Sequence, residues 1–556
     1  MQKLQIFVYN SSSGLRLGLV RNSSHLPALG VERGQAVSLL TPPLNSSKAY
    51  QLLEVWSKRL RGPAGKLRWH FLRRGRSELQ PPCVCSDSEP VMEVLGRIEE
   101  ILRGRIISEF RLMKHLRDEG FWPSEISRAL DVGVFQERLV QLPGFTAAPW
   151  GEKVCTRCGS REVRAMPCLN CGSLDCLRCL ECSSMGEHRE CSILLAVPGQ
   201  VSGTGEQPVG FVLDYELTQA QREASLELLD FWDKRQGRAL VWAACGAGKT
   251  EVSFSLIEKA LAEGYEVLFA IPRQDLVREI AQRLHQSFPA VEIAVHHGGQ
   301  PWLGAGRLVV ATTHQVLHFY KRFELAILDE VDAFPFQGSE MLRFGLHRSL
   351  TPTGQLVEMT ATPSACRPSR VITIPARYHG YPLPEPILFV EKLPPWSALE
   401  AAALPAVIAD TLTASDNRWL VFAPTIACCT VLQKALAAVI PRKVGLCHSK
   451  LEGRTKVIED FRQGRLDILV STSVLERGVN FPGVEVLVVY ADHSLFTANA
   501  LVQMAGRVGR TADSPTGKVL FVASKIAPAM KQALALIREL NDEARQRGLL
   551  NGESTA

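Results

Sequence analysis

No stretch of this 556-residue sequence is both long and apolar enough to read as a membrane span. The longest apolar candidate, Trp419 to Ile440, is interrupted by Pro424, Gln433 and Lys434, and reads instead as strand, loop and helix. A leader peptide is not expected either, since Met1-Gln2-Lys3-Leu4-Gln5-Ile6 turns polar at once. Strong charge of one sign is lacking too. Against 57 Asp+Glu, 63 Lys+Arg leave a net charge of +6, too mild for overall electrostatics to identify a nucleic-acid partner. These absences predict a cytoplasmic chain that inserts into no membrane. Such a chain keeps its thiols reduced, so clustered cysteines read as metal ligands rather than disulfides.

Material for several cores is present. Hydrophobic residues make up 46% and charged residues 22%, as in ordinary globular protein, and the length suits about three to four folded units. Residues 1–150 open on a strand-like Leu4–Tyr9 and pass through a basic stretch, Lys58, Arg59, Arg61, Lys66, Arg68, Arg73, Arg74 and Arg76, with Trp69 and Phe71 interleaved. That stretch reads either as a solvated surface or as a contact for nucleic acid. From Val91 to Leu116 apolar residues recur at helical spacing, which predicts an amphipathic helix. Residues 151–194 hold eight of the fifteen cysteines, and 195–210, rich in Gly and Pro without periodicity, read as a linker.

From Leu213 onward short apolar strands alternate with helical stretches. The first set is Ala239–Ala243, Glu266–Ile271, Arg307–Ala311, Leu325–Leu328 and Leu356–Met359. After a proline-rich joint at 377–398 comes a second set: Trp419–Ala423, Lys443–Cys447, Leu466–Ser471, Val484–Tyr490 and Lys518–Val522. Apolar strands alternating with helices predict parallel sheets covered on both faces. Two α/β domains in tandem are therefore expected, over 211–376 and 399–540, followed by a flexible tail at 541–556.

The first domain carries a phosphate-binding pattern. Strand Ala239–Ala243 runs into Ala244-Cys245-Gly246-Ala247-Gly248-Lys249-Thr250 and then a helix. A Gly-rich turn lets backbone N–H groups of Cys245 to Thr250 close around phosphate oxygens, and the helix N-terminus adds positive potential. Lys249 would reach the outer phosphates of ATP, and the Thr250 hydroxyl would bind Mg²⁺. The apolar strand ending in Asp329-Glu330-Val331-Asp332 puts Asp329 where it can hold that metal and Glu330 where it can polarise a water. Upstream, Leu217-Thr218-Gln219-Ala220-Gln221 is either a helix cap or a base contact with Gln221 reading adenine.

The phosphate loop, Asp329-Glu330-Val331-Asp332, Thr360-Ala361-Thr362 and Gln503-Met504-Ala505-Gly506-Arg507-Val508-Gly509-Arg510 occur in that order. The set resembles the superfamily 2 DEAD/DEAH-type helicases over about residues 213–535. The implied fold class is α/β: two tandem RecA-like domains with parallel sheets, preceded by a small zinc-binding domain and an α+β N-terminal region. The implied activity is nucleic-acid-stimulated ATP hydrolysis, with Gln503, Arg507 and Arg510 joining Lys249, Asp329 and Glu330 as catalytic residues. Arginines delivered by a second lobe stabilise transition-state charge only when the lobes close. Thr360 and Thr362 resemble the motif that couples ATP to strand binding. The same resemblance assigns strand contacts to Arg273, Gly298, Gly299, Thr312 and Thr313 in the first lobe and to Thr425, His448 and Thr472 in the second. These residue types suit phosphate gripping without base reading.

Cys155-x-x-Cys158, Cys168-x-x-Cys171 and Cys176-x-x-Cys179, then Cys182, His188 and Cys191, fall within one short segment. Two-residue spacing lets a tight turn aim both sulfurs at one Zn²⁺, and eight cysteines suit two ions, though spacing alone does not divide the ligands. So short a segment lacks a core, and metal binding of roughly 10–16 kcal/mol can fold it. Cysteine pairs ahead of the first lobe, Asp329-Glu330-Val331-Asp332-Ala333-Phe334-Pro335 and Leu475-Glu476-Arg477-Gly478-Val479 together resemble the ComFA family over about residues 150–530. That family drives single-stranded DNA uptake in competent bacteria. The resemblance implies single-stranded DNA as substrate, competence proteins including a membrane uptake channel as partners, and action at the inner face of the membrane. It also implies one zinc on Cys155, Cys158, Cys179 and Cys182, with Cys168, Cys171, Cys176 and Cys191 as extra thiols for a second. His188 is expected at the surface, with a role as substitute zinc ligand as the alternative. A replication-restart helicase, a generic DNA or RNA helicase and an inactive nucleic-acid-binding regulator remain the alternatives.

Overall fold

The computed structural model describes residues 3–11, 14–21, 38–39, 44–60, 89–148, 151–199, 209–298, 304, 306–363, 368–399, 404–414, 416–476 and 481–551. The first lobe is a seven-stranded parallel sheet in the spatial order Ile293–His296, Leu308–Thr312, Val267–Ile271, Phe323–Leu328, Leu350–Thr360, Arg238–Ala243 and Arg370–Ile374. The second is six-stranded and also parallel: Ile387–Val390, Val519–Ala523, Val484–Val489, Arg418–Phe422, Ile468–Ser471 and Val444–Cys447. Central strands such as Val267–Ile271 and Val484–Val489 are buried along their whole length, because helices cover both faces. All ten strands expected for the two lobes form, nearly all within two residues of their expected bounds. Leu350–Thr360 starts six residues early, and its pairing with Phe323–Leu328 shifts register between Phe323 and Leu325.

The N-terminal region pairs Lys3–Ser11 with Gly14–Val20 as an antiparallel hairpin, with helix Ser46–Leu60 beside it. Of the basic stretch, Arg61 to Arg76 with Trp69 and Phe71 lies outside the described residues. The single helix expected from Val91 to Leu116 is instead helix Glu89–Leu102, strand Arg105–Ser108 and helix Glu109–Asp118. Gly104, at φ +67°, makes the break, and the β-branched pair Ile106-Ile107 extends into a strand. Ser108 then caps the next helix, its Oγ accepting from the Arg111 N–H.

Strand Ile193–Val197 pairs antiparallel with both Arg105–Ser108 and Val140–Pro143 and forms the centre of that sheet. Leu195, Ala196 and Val197, read from composition as the start of a linker, are therefore sheet residues. The cysteine segment thus loops out of the N-terminal region and returns to it. At the other end, helix Pro528–Gln546 carries order past the expected fraying at Asn541. Asn541 is buried, its Oδ1 accepting from the Leu383 N–H and its Nδ2 donating to the Leu383 carbonyl. Just beyond, Arg547 binds Glu223 of the first lobe at 2.6 Å. The end of the second lobe therefore straps onto the first.

Candidate active site between the lobes and a cysteine module

The phosphate loop leaves the end of strand Arg238–Ala243 and turns at Gly246 and Gly248, both at positive φ, into helix Lys249–Val252. Across the loop stands the second lobe's helix Ala498–Ala505. The Cys245 thiol lies 3.5 Å from Gln503 Oε1, and a Cβ on Gly506 would stand 2.5 Å from Cys245 Cβ. Only glycine allows this approach, so the lobes meet at the loop itself. Lys249, Thr250, Asp329 and Glu330 of one lobe and Gln503, Arg507 and Arg510 of the other line one cavity of about 230 Å³.

The charges in that cavity are arranged for an anion. Lys249 Nζ sits 3.1 Å from Asp329 Oδ1. Burial disfavours the Lys249 charge, but Asp329, then Glu330 and Asp332, outweigh it and raise the pKa. The arginines fare differently. Burial, then Arg510, pushes Arg507 well down; burial lowers Arg510. Arg377 is lowered to about 10 by burial, with Arg510 adding to it. Arg507 donates from Nε to the Glu476 carbonyl and Arg510 from Nε to the Gly506 carbonyl. Guanidiniums whose charge burial disfavours, beside a Gly-rich loop and a lysine, fit a nucleoside triphosphate.

Gln221 sits at the edge of this loop. Its Oε1 accepts from the Thr218 N–H, closing a capping box, and its Nε2 donates to the Ala247 carbonyl at 2.9 Å. Of the two readings, the structure therefore displays the cap, and a brace on the phosphate loop as well. Glu330 adopts φ +54°, costly for a non-glycine residue and typical of strained functional positions. Two residues on, Asp332 accepts from both Thr360 Oγ1 at 2.7 Å and Thr362 Oγ1 at 2.8 Å. The acidic segment and the Thr-Ala-Thr turn are thus one hydrogen-bonded unit.

Sequence reading missed Arg377. It donates from Nη1 to the Gly509 carbonyl at 2.5 Å, and His379 Nε2 meets the same carbonyl at 3.0 Å. Gly509 lies between Arg507 and Arg510, so the joint between lobes grips the arginine loop. Only the fold could reveal this, since 132 residues separate the pair.

Apart from Gly299, the expected strand contacts stand at or just past the carboxyl ends of parallel strands, the edge where such sheets bind ligands. Their side chains are less available than expected. Thr312 and Thr313 are buried, Arg273 is paired with Asp275 at 2.8 Å, and the Thr425 hydroxyl caps a helix by accepting from the Cys428 N–H. Gly298 holds its place beside Gln274, and His448 and Thr472 are half-buried. Gly299, and Arg477 to Val479 of the second-lobe motif, lie outside the described residues.

The eight thiols sort into two quartets, Cys155, Cys158, Cys179 and Cys182, and Cys168, Cys171, Cys176 and Cys191, each with its sulfurs within 4.8 Å of one another. Sulfur–sulfur separations of 3.9 Å (Cys155–Cys182), 3.5 Å (Cys158–Cys179) and 3.7 Å (Cys168–Cys191) match the roughly 3.8 Å edge of a tetrahedron with ~2.3 Å zinc–sulfur bonds. The donor sets therefore fit Zn²⁺. Cys176 and Cys179 do not form the chelating pair that their spacing suggested. They end one strand, Cys176–Cys179, and residues three apart on a strand face opposite sides, so each serves a different quartet. His188 is neither ligand nor surface residue. It is buried, stacked on Phe145, with Nε2 on the Gly144 carbonyl at 2.9 Å and a pKa lowered to about 4, chiefly by burial and then by Arg157.

The quartets differ in setting. Cys155, Cys158, Cys179 and Cys182 are fully buried in a core shared with Leu268, Ala311, Leu328 and Phe336 of the first lobe. Arg348 of that lobe donates to the carbonyls of Thr156 at 3.0 Å and Arg157 at 2.7 Å. In the other quartet Cys171 and Cys191 are half-exposed. Two family models match the chain: "Type III restriction enzyme, res subunit" over residues 214–365, and "Helicase conserved C-terminal domain" over residues 401–512. Competence protein ComFA of Bacillus subtilis (strain 168) is 32% identical over 411 residues, covering 70% of this chain and 86% of that protein. Competence protein ComFA of Streptococcus pneumoniae (strain ATCC BAA-255 / R6) is 35% identical over 414 residues, covering 71% and 91%. Among solved structures, S. cerevisiae Dbp5 bound to RNA and ADP BeF3 aligns over 60% of this chain and 94% of its own, with a TM-score of 0.45 and 18% identity.

Proposed function

This chain belongs to the ComFA family of competence proteins and is an ATP-hydrolysing superfamily 2 helicase; from that premise we propose that it pulls single-stranded DNA into the cell during transformation. One observation carries the mechanism: Lys249, Asp329 and Glu330 of one lobe and Arg507 and Arg510 of the other line a single cavity. The loop amides of Cys245 to Thr250 and Lys249 hold the phosphates, and Gln221 braces the loop against which the nucleotide sits. Thr250 and Asp329 would hold Mg²⁺, which would supply neutralising charge to the phosphates. Glu330 orients the attacking water. Arg507 and Arg510, aided by Gln503, meet the charge that develops on the leaving phosphates, so hydrolysis requires closed lobes.

Asp332 transmits that state. A shift of Asp329-Glu330 moves Thr360 and Thr362 with it, and through them the loops at the strand-binding edge, among them Arg273, Gly298-Gly299, Thr312-Thr313, Thr425, His448 and Thr472. Cys155, Cys158, Cys179 and Cys182 would hold one Zn²⁺ that ties the cysteine module to the first lobe, and Cys168, Cys171, Cys176 and Cys191 would hold a second that shapes its outer half. No helix among the described residues is long and apolar enough to cross a membrane. Action at the membrane's inner face therefore rests on partners such as the uptake channel and other competence proteins.

The test is steady-state ATP hydrolysis without nucleic acid, with single-stranded DNA, with duplex DNA and with RNA, beside Lys249→Ala. Stimulation chiefly by single-stranded DNA, absent in the variant, is the expected result. Equal or greater stimulation by RNA would overturn the DNA assignment.

A further inference from the structure

Helix Glu109–Asp118 and the outer cysteine quartet face each other across a groove of about 680 Å³, lined among others by Phe110, Arg111, Lys114, Leu169, Asn170 and Met185. Two large apolar side chains stand open to solvent there. Phe110 is 73% exposed on the helix, and Leu169, at the tip of the Cys168–Cys171 turn, is fully exposed. Beside Phe110, Arg111 and Lys114 lie three residues apart and therefore on one helix face, both exposed.

The cationic side chains that line the groove are Arg111, Lys114 and Arg157. Its one lining carboxylate, Glu187, already pairs with Arg189 at 2.8 Å and lies 3.6 Å from Arg178. Glu109, on the same helix, is buried and paired with Arg21 at 2.7 Å. Arg157 lines the groove but is held by Cys182 Sγ and the Cys182 and Gly186 carbonyls. At the back lies His318, whose pKa burial and then Arg111, Arg157 and Arg348 lower to about 3.

We infer that this groove is a second contact for single-stranded nucleic acid, separate from the strand-binding edge of the lobes. Bases stack on Phe110 and against Leu169, and phosphates meet Arg111 and Lys114. An aromatic face flanked by cations suits a strand held without sequence preference, because every base has a stacking face and every nucleotide a phosphate. Purely apolar docking would not explain the interleaved cations. Cys171 and Cys191 line the same groove, so metal held by the outer quartet would fix the wall that carries Leu169. The inference rests on the motor reading above and adds to it where the strand lies before it reaches the lobes.

Fluorescence anisotropy of the full chain with long oligo(dT) tests it, using Phe110→Ala, Lys114→Glu and the pair together. The expected result is a Kd weakened roughly tenfold for Phe110→Ala. Lys114→Glu should reduce the slope of log Kd against log salt by about 0.7. The kcat for ATP at saturating DNA should stay unchanged in both. A photo-crosslinking amino acid in place of Leu169 should capture the oligonucleotide. Unchanged affinity in both variants, with no crosslink, would overturn the inference and leave the face to a protein partner. A wild-type chain that no nucleic acid stimulates would instead sink the motor reading, so the two failures are distinguishable.

Discussion

Arg377→Met separates catalysis from stability. The Arg377 guanidinium is buried, and its Nη1 bond to the Gly509 carbonyl is a hydrogen bond from a charged donor, a class that contributes about 1.5–3 kcal/mol. If that energy holds the Arg507–Arg510 loop in its working pose, its loss lowers kcat by about 10- to 150-fold, at about 1.4 kcal/mol per tenfold. The effect on folding runs the other way. Arg377 Nε and Nη2 have no hydrogen-bond partner among the described residues, and a pKa of about 10 against the usual 12.5 corresponds to about 3 kcal/mol spent keeping the group charged. An apolar side chain of similar length removes that cost, so stability should hold steady or rise. Arg377→Lys keeps a cationic donor and should recover part of the rate. The assay is kcat and KM for ATP beside a urea melt of each variant. An unchanged kcat, or a rate loss matched by an equal stability loss, would refute the reasoning.

Asp332→Asn leaves one acceptor oxygen where two hydroxyls now donate, at a cost of about 1–3 kcal/mol. Basal hydrolysis should persist while stimulation by a strand falls about 5- to 150-fold; an unchanged stimulation ratio would count against coupling through this carboxylate. Cys158→Ser and Cys171→Ser should each lower the zinc content by one ion per chain. Only Cys158→Ser, inside the first-lobe core, should also abolish ATP hydrolysis, because a structural zinc binds with about 10–16 kcal/mol, comparable to a whole domain's stability. Equal activity loss in the two variants would refute that division. His296, lowered to about 4 by burial, then Arg105 and Arg322, is held neutral in the fold, whereas an unfolded His titrates near 6.5. Its contribution is therefore complete above about pH 6.5 and falls toward pH 4, losing about 2 kcal/mol by about pH 5. Denaturant melts across that range should show the slope, and His296→Phe should flatten it.

The motor was legible because its signals are local. A buried parallel strand is a continuous apolar run, and a phosphate loop is seven residues read in one window, so strand positions and Lys249, Asp329 and Glu330 could be named from spacing. What stayed hidden depends on residues far apart in the chain. The Cys245–Gln503 contact spans 258 positions and Arg547–Glu223 spans 324. Local patterns also misled where two periodicities coincide. Val91 to Leu116 satisfies a helical period, yet Gly104 and two isoleucines turn it into helix, strand and helix. Cys176-x-x-Cys179 has the spacing of a chelating turn but occupies a strand, where that spacing separates the sulfurs. Thr312, Thr313 and Thr425 carry the right chemistry for a strand, but burial and capping engage them first.

The centre strand Ile193–Val197 is the last of its sheet to leave the ribosome. Until it emerges, Arg105–Ser108 and Val140–Pro143 are two edges with no partner, and the apolar faces of Leu95 and Ile98 wait uncovered. The cysteine module lies between these strands in the chain, and its fold decides how close the ends of that loop are held. With metal bound, the closing strand is delivered almost in place, and the loop-closure entropy has already been spent. A nascent chain made under zinc starvation is therefore expected to fail by edge-to-edge aggregation at the N-terminus, before any motor domain has been synthesised.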